Sequence, residues 1–305
     1  MIEKKVSKRK KIGSNILKVL LTFGALYWLT NKISFKEVKT TLLESNYLFL
    51  LGALGTYLSS ILISSSRLNS FFKCINLNFS ERYNLRLYQL GLLYNFFLPG
   101  GIGCDGYKIF FIKKKYDIRG RTVLSAVFFD RLSGLWALFI IICLLVIFTP
   151  RFAIPNYVTL SGMLLVSFAY YYFYHLFFKK FTKNFFLTHF KALGVQALQV
   201  LTAILILKAL GFEGKYAPYL LIFLLSSLVA IIPSIGGGLG LRELMSIYSA
   251  DYIQLDTHIA VSLSLIFYLI SLLIAATGIY YVFHPAPLGA EKLPTADEVI
   301  QESEE

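Results

Sequence analysis

Two clusters of proline and glycine in this sequence could bind an anion. The first occupies residues 99–106 and the second residues 233–240, and charged side chains follow both. At such breaks, backbone N–H groups and the N-terminus of the following half-helix carry partial positive charge, which suits a phosphate or carboxylate. The candidate substrate-binding residues at and near the breaks are Pro99, Gly100, Gly101, Gly103, Asp105, Lys108, Asp130, Arg131, Pro233, Gly236, Gly237, Gly238, Gly240, Arg242 and Glu243. The alternative for either cluster is a glycine-packed helix bend that binds no ligand.

Charged side chains also lie inside the apolar segments, where they need charged or polar partners. Asp130 and Arg131 lie about 12 Å into an apolar segment at a rise of ~1.5 Å per residue. A lipid-facing charge at such depth costs at least about 2.5 kcal/mol, so we expect inward-facing pairs or a polar cavity. Because adjacent residues do not face each other on a helix, these two are expected to pair with different segments. One hypothesis has Lys108, Arg131 and Arg242 meeting one anionic headgroup, and the other is a purely structural network of ion pairs.

Residues 101–106 match the GxGxxG spacing of dinucleotide-binding folds, but their context argues against that function. The fingerprint requires a preceding β-strand in a βαβ unit, whereas here Pro99 precedes the glycines and the next acidic candidate, Asp130, lies in an apolar segment. The sequence has no GxSxG or HExxH motif, and its three cysteines and four histidines are too scattered for zinc. We therefore expect neither an enzyme nor a cofactor or metal site.

The composition places the chain in a membrane. Hydrophobic residues make up 56% of it and charged residues 15%, a ratio that a water-soluble globule of this length could not bury. The net charge of +13 does not indicate nucleic-acid binding, because the basic residues lie between apolar segments and at the N-terminus. The pattern predicts one all-α, polytopic membrane domain.

The N-terminus resembles a signal peptide but is expected to be retained. Six basic residues lie within positions 4–11, an apolar run covers Ile16–Thr30, and no small-residue cleavage site follows. We interpret this run as the first of about six full crossings. The others are predicted at Tyr47–Ser65, Thr122–Phe148, Tyr157–Phe178, Ala192–Leu210 and Ile259–Phe283.

Two further apolar segments are too short to cross the bilayer as helices. Leu87–Leu98 and Tyr219–Ile232 have about 12 and 14 residues, against the roughly 20 that a helix needs to cross. Each ends at one of the proline and glycine breaks, and the second continues into a half-helix at Leu241–Ala250. We expect two re-entrant hairpins, whose non-helical backbone is buried in protein or lines a wet cavity.

The order of segments repeats along the chain, with two crossings, a broken hairpin and one crossing in each half. Three crossings per half make the repeat an inverted one, with hairpins entering from opposite sides, which is characteristic of transporters. The predicted divisions are a basic N-terminus (1–15), a membrane domain (16–283) with repeats at about 16–148 and 157–283, and an acidic, disordered tail (284–305).

Basic loops predict the orientation. The stretches 67–86, 108–121 and 179–191 are rich in lysine and arginine, and the positive-inside rule places them in the cytoplasm. Arg67 is assigned by this reasoning to a polar stretch beyond the second crossing. Both termini are then cytoplasmic, and we expect a bacterial or archaeal cytoplasmic membrane.

Three short motifs carry a family resemblance. They are FLPGGIGCDGYK at 97–108, FDRL at 129–132 and IPSIGGGLGLRE at 232–243. In this order they resemble the flippase-like membrane domain of lysylphosphatidylglycerol synthases and their stand-alone relatives, over about residues 16–283. The resemblance implies broken membrane helices that move a modified phospholipid or polyisoprenyl-linked species between leaflets, without the synthases' aminoacyl-transferase domain. Lys108 stands where we align a family arginine, so a cation is kept without bidentate phosphate geometry.

The leading hypothesis is a flippase-like translocator of an anionic phospholipid or polyisoprenyl-phosphate-linked lipid, with the headgroup held between the two hairpins. One alternative is a membrane-embedded enzyme or enzyme subunit in lipid headgroup modification or polyprenyl-linked glycosyl transfer. Another is a non-transporting scaffold or regulator of lipid synthesis. The expected partners are membrane lipid and a second copy of the chain or a lipid-synthesis enzyme, and no nucleic acid.

Overall fold

The computed structural model describes residues 43–97, 103–149, 154–229 and 240–289 of the 305. Several expectations concern residues outside these ranges, namely the first crossing, Pro99, Gly100, Gly101, Pro233, Gly236, Gly237, Gly238 and the tail beyond residue 289.

The regular structure of the described residues is helical throughout. The helices are α1 (Tyr47–Cys74), α2 (Glu81–Phe97), α3 (Gly103–Tyr116), α4 (Gly120–Ile147), α5 (Asn156–Phe177), α6 (Lys179–Thr182), α7 (Phe185–Ala209), α8 (Tyr216–Val229), α9 (Leu241–Tyr252), α10 (Thr257–Ala276) and α11 (Ile279–Phe283), followed by a 3₁₀ turn (Ala286–Leu288). Among them, α1, α4, α7 and the stretch formed by α10 and α11 are long and apolar enough to cross a membrane. The chain is an all-α membrane protein, as its composition predicted.

Helices α1 and α7 pack antiparallel and form the centre of the molecule. At one end the Asn46 N–H donates to the Ala209 carbonyl at 2.9 Å, and at the other the Lys191 ammonium donates to the Ser66 hydroxyl at 2.9 Å. Lipid provides no hydrophobic force between helices, so close packing and interhelical hydrogen bonds of this kind must hold the pair together.

One end of this pair, which we call the basic face, gathers the C-terminus of α1, the N-terminus of α2, the C-terminus of α3 and the segment from α6 to α7. There the ring of Phe79 packs against Tyr116 with centroids 5.1 Å apart, and Phe71 packs against Phe181 at 6.2 Å. The charged residues here are predominantly basic, including Lys73, Arg82, Lys113, Lys114, Lys115, Arg119, Lys179, Lys180 and Lys183.

The other end of the pair, the opposite face, gathers the N-termini of α1, α8 and α10 with the C-termini of α7 and α9. Phe212 and Tyr219 pack there with centroids 4.8 Å apart, and the Tyr219 hydroxyl accepts from the Asp256 N–H at 3.0 Å. The Asp256 carboxylate in turn caps α10 by accepting from the His258 N–H at 2.8 Å. These contacts fix where the short helices α8 and α9 begin and end.

The helices on either side of each glycine break are short, and they pack together as a pair. Helix α2 packs on α3, and α8 packs on α9. At ~1.5 Å per residue these helices are about 18 to 26 Å long, shorter than a hydrocarbon layer of about 30 Å. The outer ends of the first pair lie at the basic face and those of the second pair at the opposite face.

Each short pair also contacts the last long helix of the other half of the chain. Helix α2 packs on α10, and α8 packs on α4. The approach of α2 to the end of α10 requires a glycine, because a Cβ on Gly278 would lie only 2.5 Å from the Gln89 carbonyl oxygen. The two halves of the chain are therefore interlocked.

Helix α1 is longer than the crossing predicted at Tyr47–Ser65, since it continues to Cys74. The assignment of Arg67 to a polar stretch beyond this crossing was wrong, because Arg67 is buried within the helix. Hydropathy alone treats a run of serines with an arginine as the end of a crossing. Here those side chains face other helices and find polar partners there.

The remaining boundaries also differ in places from the predicted ones. Helix α2 begins at Glu81, six residues before the apolar run, and α7 begins at Phe185 instead of Ala192. Helix α5 is 22 residues long, yet it is not among the stretches that are apolar enough to cross. Its tyrosine-rich second half lowers its hydropathy.

Candidate functional site

A buried ion pair joins α1 to α4. The Arg67 guanidinium donates to both oxygens of Asp130, with Nε 2.8 Å from Oδ1 and Nη2 3.1 Å from Oδ2. Gly134, one turn further along α4, packs beside the guanidinium, where an added Cβ would lie 3.4 Å from Nη1. The bidentate geometry satisfies both charges where water is excluded. The sequence predicts a partner for Asp130 from another segment, but no pattern in it identifies Arg67 as that partner.

The neighbouring residue, Arg131, points to α3 and forms a second charged cluster there. Its Nε lies 2.7 Å from Asp105 Oδ2 and its Nη2 lies 3.0 Å from Oδ1, while Lys108 Nζ lies 3.3 Å from the same Oδ1. Asp130 and Arg131 thus pair with different helices, which confirms that expectation. The Asp105 carboxylate lies between two cations at the inner end of the α2–α3 pair.

Lys108 is the desolvated member of this cluster. It is 1% exposed, whereas the Arg131 side chain is 54% exposed and that of Asp105 is 29% exposed. The Lys108 ammonium also lies 4.5 Å from the centre of the Tyr88 ring on α2. An aromatic face compensates part of the hydration that a buried cation loses.

The second break ends in a helix cap. Gly240 has a φ of 86°, a left-handed conformation that glycine adopts without steric cost. Its N–H donates to Glu243 Oε2 at 2.7 Å, and the Ser264 hydroxyl of α10 donates to Oε1 at 2.9 Å. Glu243 is fully buried. With each oxygen accepting a hydrogen bond, Glu243 fixes the start of α9.

Arg242 is the cation of the second break. It is 7% exposed, and its guanidinium carbon lies 5.4 Å from the Phe223 ring centre and 5.1 Å from that of Phe267. Its Nη2 donates to the Ser227 hydroxyl at 3.3 Å, and its buried Nε has no hydrogen-bond partner among the described residues. Within those residues no carboxylate lies within 4 Å of the guanidinium. A buried donor without a partner is costly, so Arg242 can accept an anion.

Lys108 and Arg242 occupy corresponding positions at the two breaks. Each stands nine residues after the proline that opens its break. Each lies over an aromatic ring from the short helix that precedes the break, Tyr88 for Lys108 and Phe223 for Arg242. Equal spacing has placed one buried cation on an aromatic face in each half of the chain.

Tyr57 of α1 lies between the two cation sites. Its ring packs edge-on against Phe267 with centroids 5.1 Å apart, and Phe267 also contacts Arg242. Its hydroxyl is within electrostatic reach of both Arg242 and Tyr88, the ring beneath Lys108. Tyr57 therefore packs beside Phe267, one of the two rings that lie against Arg242.

The family of the chain follows from a match over most of its length. Residues 15–278 match the model of the lysylphosphatidylglycerol synthase TM region. The chain belongs to this family. The match covers both glycine breaks and every candidate residue, and it confirms the resemblance carried by the three motifs. No curated protein matches the sequence.

For this member of the lysylphosphatidylglycerol synthase TM-region family, the structure brings most of the described candidate residues into two groups, while Asp130 pairs with Arg67 and Gly103 begins α3. Asp105, Lys108 and Arg131 form one, and Gly240 with Glu243 forms the cap beside Arg242. Sequence reasoning missed the aromatic and polar residues that complete them, which are Tyr57, Arg67, Tyr88, Phe223, Ser264 and Phe267. The equal spacing of Lys108 and Arg242 from their prolines was the available signal. Within the described part of the chain, no three His, Cys, Asp or Glu side chains converge as metal ligands would.

Proposed function

We propose that this protein moves a lipid with an anionic phosphate headgroup from one leaflet of the membrane to the other. The observation that carries the proposal is the pair of buried cations, Lys108 and Arg242, one after each glycine break. Membership of a family named for the membrane region of a lipid-modifying enzyme supports a lipid as the ligand. An anionic phospholipid and a polyisoprenyl-phosphate-linked lipid both carry the required phosphate.

The energetic obstacle to such movement is the cost of transferring a bare phosphate through hydrocarbon. An isolated ion loses its hydration there, and the penalty is prohibitive without partners. Arg242 is already desolvated, and its buried Nε is available to donate to a phosphate oxygen. Lys108 brings a second buried charge. These groups would replace hydration while the acyl or prenyl chains stay in the bilayer.

The arrangement of the short helices supports two re-entrant hairpins related by an inverted repeat. The α2–α3 pair opens at the basic face and the α8–α9 pair at the opposite face. The packing of α2 on α10 has its counterpart in the packing of α8 on α4. Movement of one half against the other would then expose the site to each side in turn. With lysine and arginine gathered on one side, the basic face is assigned to the cytoplasm.

The positions of two carboxylates support a transporter that is not an enzyme. Asp130 and Glu243 would be the acid–base candidates of a membrane enzyme. Both oxygens of Asp130 bind Arg67, and both oxygens of Glu243 accept from groups of the cap. A general base must reach a substrate proton, and every oxygen of these two carboxylates already accepts a hydrogen bond from the protein.

The test is a leaflet-exchange assay on the full chain in liposomes. Fluorescent phosphatidylglycerol and fluorescent polyprenyl phosphate are supplied in separate experiments, and the fraction quenched by a membrane-impermeant reductant is followed in time. We expect exchange faster than in protein-free vesicles for at least one of them, and slower exchange with Arg242→Met.

The matched control for that variant is Lys208→Met. Lys208 is an exposed cation at the end of α7, so its removal changes the net charge equally and should leave the rate unchanged. No exchange above protein-free vesicles across anionic phospholipids and polyprenyl phosphates would contradict the proposal. Equal loss in both variants would contradict the role of Arg242.

A further inference from the structure

The first break already holds an anion of its own. The Asp105 carboxylate receives two hydrogen bonds from Arg131 and one from Lys108. Arginine presents the same fork of donors to a carboxylate and to a phosphate, so the position of the Asp105 oxygens is one that phosphate oxygens could take. Among the described residues the second break has no equivalent, because Glu243 binds the Gly240 N–H and Ser264 instead of Arg242.

We propose that Asp105 is an internal competitor, whose carboxylate must be displaced from Lys108 and Arg131 before a phosphate headgroup binds there. This inference rests on the proposed function, and it adds a residue that determines which lipids are accepted. A neutral headgroup offers no charge with which to displace a carboxylate. A phosphate-bearing headgroup offers charge together with several acceptor oxygens.

The exposed fractions of these side chains indicate how a phosphate would replace the Asp105 carboxylate. The Asp105 side chain is 29% exposed and Arg131 is more exposed still, so both can move into water while Lys108 remains buried. The carboxylate released from Lys108 can stay hydrated or keep its bidentate contact with Arg131. By contrast, the ion pair between Arg67 and Asp130 is buried on both sides and has no such freedom. Asp105 is thus the charged partner at this site that a ligand can replace.

A purely structural ion pair makes the opposite prediction for the loss of Asp105. If the carboxylate only holds α3 to α4, its removal weakens the packing and any ligand site built on it. If it competes with the ligand, its removal takes a competing anion away from two cations and tightens ligand binding. The direction of the change in affinity therefore separates the two roles.

The experiment measures binding of short-chain lipids to the purified full chain in detergent by isothermal titration calorimetry. Asp105→Asn is titrated with dioctanoyl phosphatidylglycerol, and we expect a dissociation constant about tenfold lower than that of the unmodified protein, a gain of roughly 1.4 kcal/mol. Dioctanoyl phosphatidylcholine, a zwitterion, should show less gain. Asp117→Asn is the matched control, since it removes an exposed carboxylate from the turn after α3 and should not tighten binding.

Two further variants keep the result interpretable. Asp105→Ser replaces the asparagine variant if that protein does not fold, and it should tighten binding in the same direction. In Asp105→Asn/Lys108→Met the gain should be lost, because the freed cation is no longer present. Unchanged or weaker phosphatidylglycerol binding by folded Asp105→Asn or Asp105→Ser overturns the inference. A gain for inorganic phosphate without one for the lipid overturns it as well.

Failure of this inference can be told apart from failure of the proposed function. Leaflet exchange by the unmodified protein, together with no tighter binding in the Asp105 variants, rejects the competitor alone. Absence of leaflet exchange rejects the transport function, whatever the titrations show.

Discussion

At both glycine breaks a cation stands nine residues after the proline, but the two cations have different surroundings. Lys108 shares the Asp105 carboxylate with the half-exposed Arg131. Arg242 lies between two phenylalanine rings with no carboxylate within 4 Å among the described residues. The comparison teaches that equivalent positions need not be functionally equal. The cation of the first break is hydrogen-bonded to a carboxylate, whereas that of the second has no hydrogen-bonded carboxylate among the described residues.

The difference extends to the helices that support each break. Asp130 and Ser264 both stand 31 residues after the proline of their own half. Asp130 forms a buried ion pair with Arg67, whereas Ser264 donates a single hydrogen bond to Glu243. At these corresponding positions, the first half has a buried ion pair. The second half has one hydrogen bond from a hydroxyl to the carboxylate that caps α9.

The largest effect is expected from breaking the buried pair of the first half. Asp130→Asn should lower the free energy of unfolding by about 3–5 kcal/mol, because it leaves Arg67 charged and unpaired in the interior. Ser264→Ala, at the corresponding position of the second half, should cost only about 1–3 kcal/mol. Unfolding by denaturant in detergent measures both. The double variant Arg67→Met/Asp130→Leu should recover most of the loss, and equal effects of the two single variants would remove the contrast between the halves.

The second largest effect is expected from removing the charge of Arg242. Arg242→Met should slow leaflet exchange about a hundredfold, within the ~2–5 kcal/mol range for truncating a buried charged contact. The same variant should change the free energy of unfolding much less than Asp130→Asn does, because Arg242 has no carboxylate within 4 Å among the described residues. The leaflet-exchange assay and denaturant unfolding are measured on one preparation. A parallel loss of stability and transport would mean that Arg242 is a packing residue.

A smaller effect is expected from removing the charge of Lys108. Lys108→Met should slow exchange about tenfold, or ~1.4 kcal/mol, because Arg131 remains nearby to bind a phosphate. Lys108→Arg should keep most of the activity, since it retains the charge. Exchange rates for the three proteins under identical lipid composition decide the matter. A loss from Lys108→Met larger than that from Arg242→Met would reverse the proposed roles of the two breaks.

The smallest effect is expected at the residue between the two sites. Tyr57→Phe keeps the ring contact with Phe267 and removes the hydroxyl near Arg242. Loss of one neutral hydrogen-bonding group costs about 0.5–1.5 kcal/mol, so exchange should slow a few-fold. Tyr57→Leu, which also removes the ring, should slow it further. An unchanged rate in both variants would show that the interior route does not pass Tyr57.

The class of the fold could be predicted from the sequence, and the partners of the charged residues could not. Apolar runs and basic loops are local signals, and they identified a helical membrane protein. The rule that adjacent helical residues point apart also predicted different partners for Asp130 and Arg131. Which partners these are depends on how α1, α3 and α4 rotate and pack, and no local pattern encodes that.

Arg67 and Tyr57 show where hydropathy reasoning fails. A serine-rich run with an arginine reads as the end of a crossing, although in α1 these polar groups face the interior and pair there. Tyr57 is one aromatic residue among many in apolar segments, and nothing in its sequence position marks it as central. Its role depends on Phe267, which is 210 residues away in the chain.

Binding of one phosphate headgroup by both Lys108 and Arg242 can be observed in an electron cryo-microscopy map of the full chain in nanodiscs that contain anionic lipid. Our account predicts density for one phosphate headgroup within hydrogen-bonding distance of both the Lys108 ammonium and the Arg242 guanidinium, with Asp105 moved away from Lys108. A map in which both cations are dry and turned apart, with lipid phosphates only at the membrane surface, would contradict it.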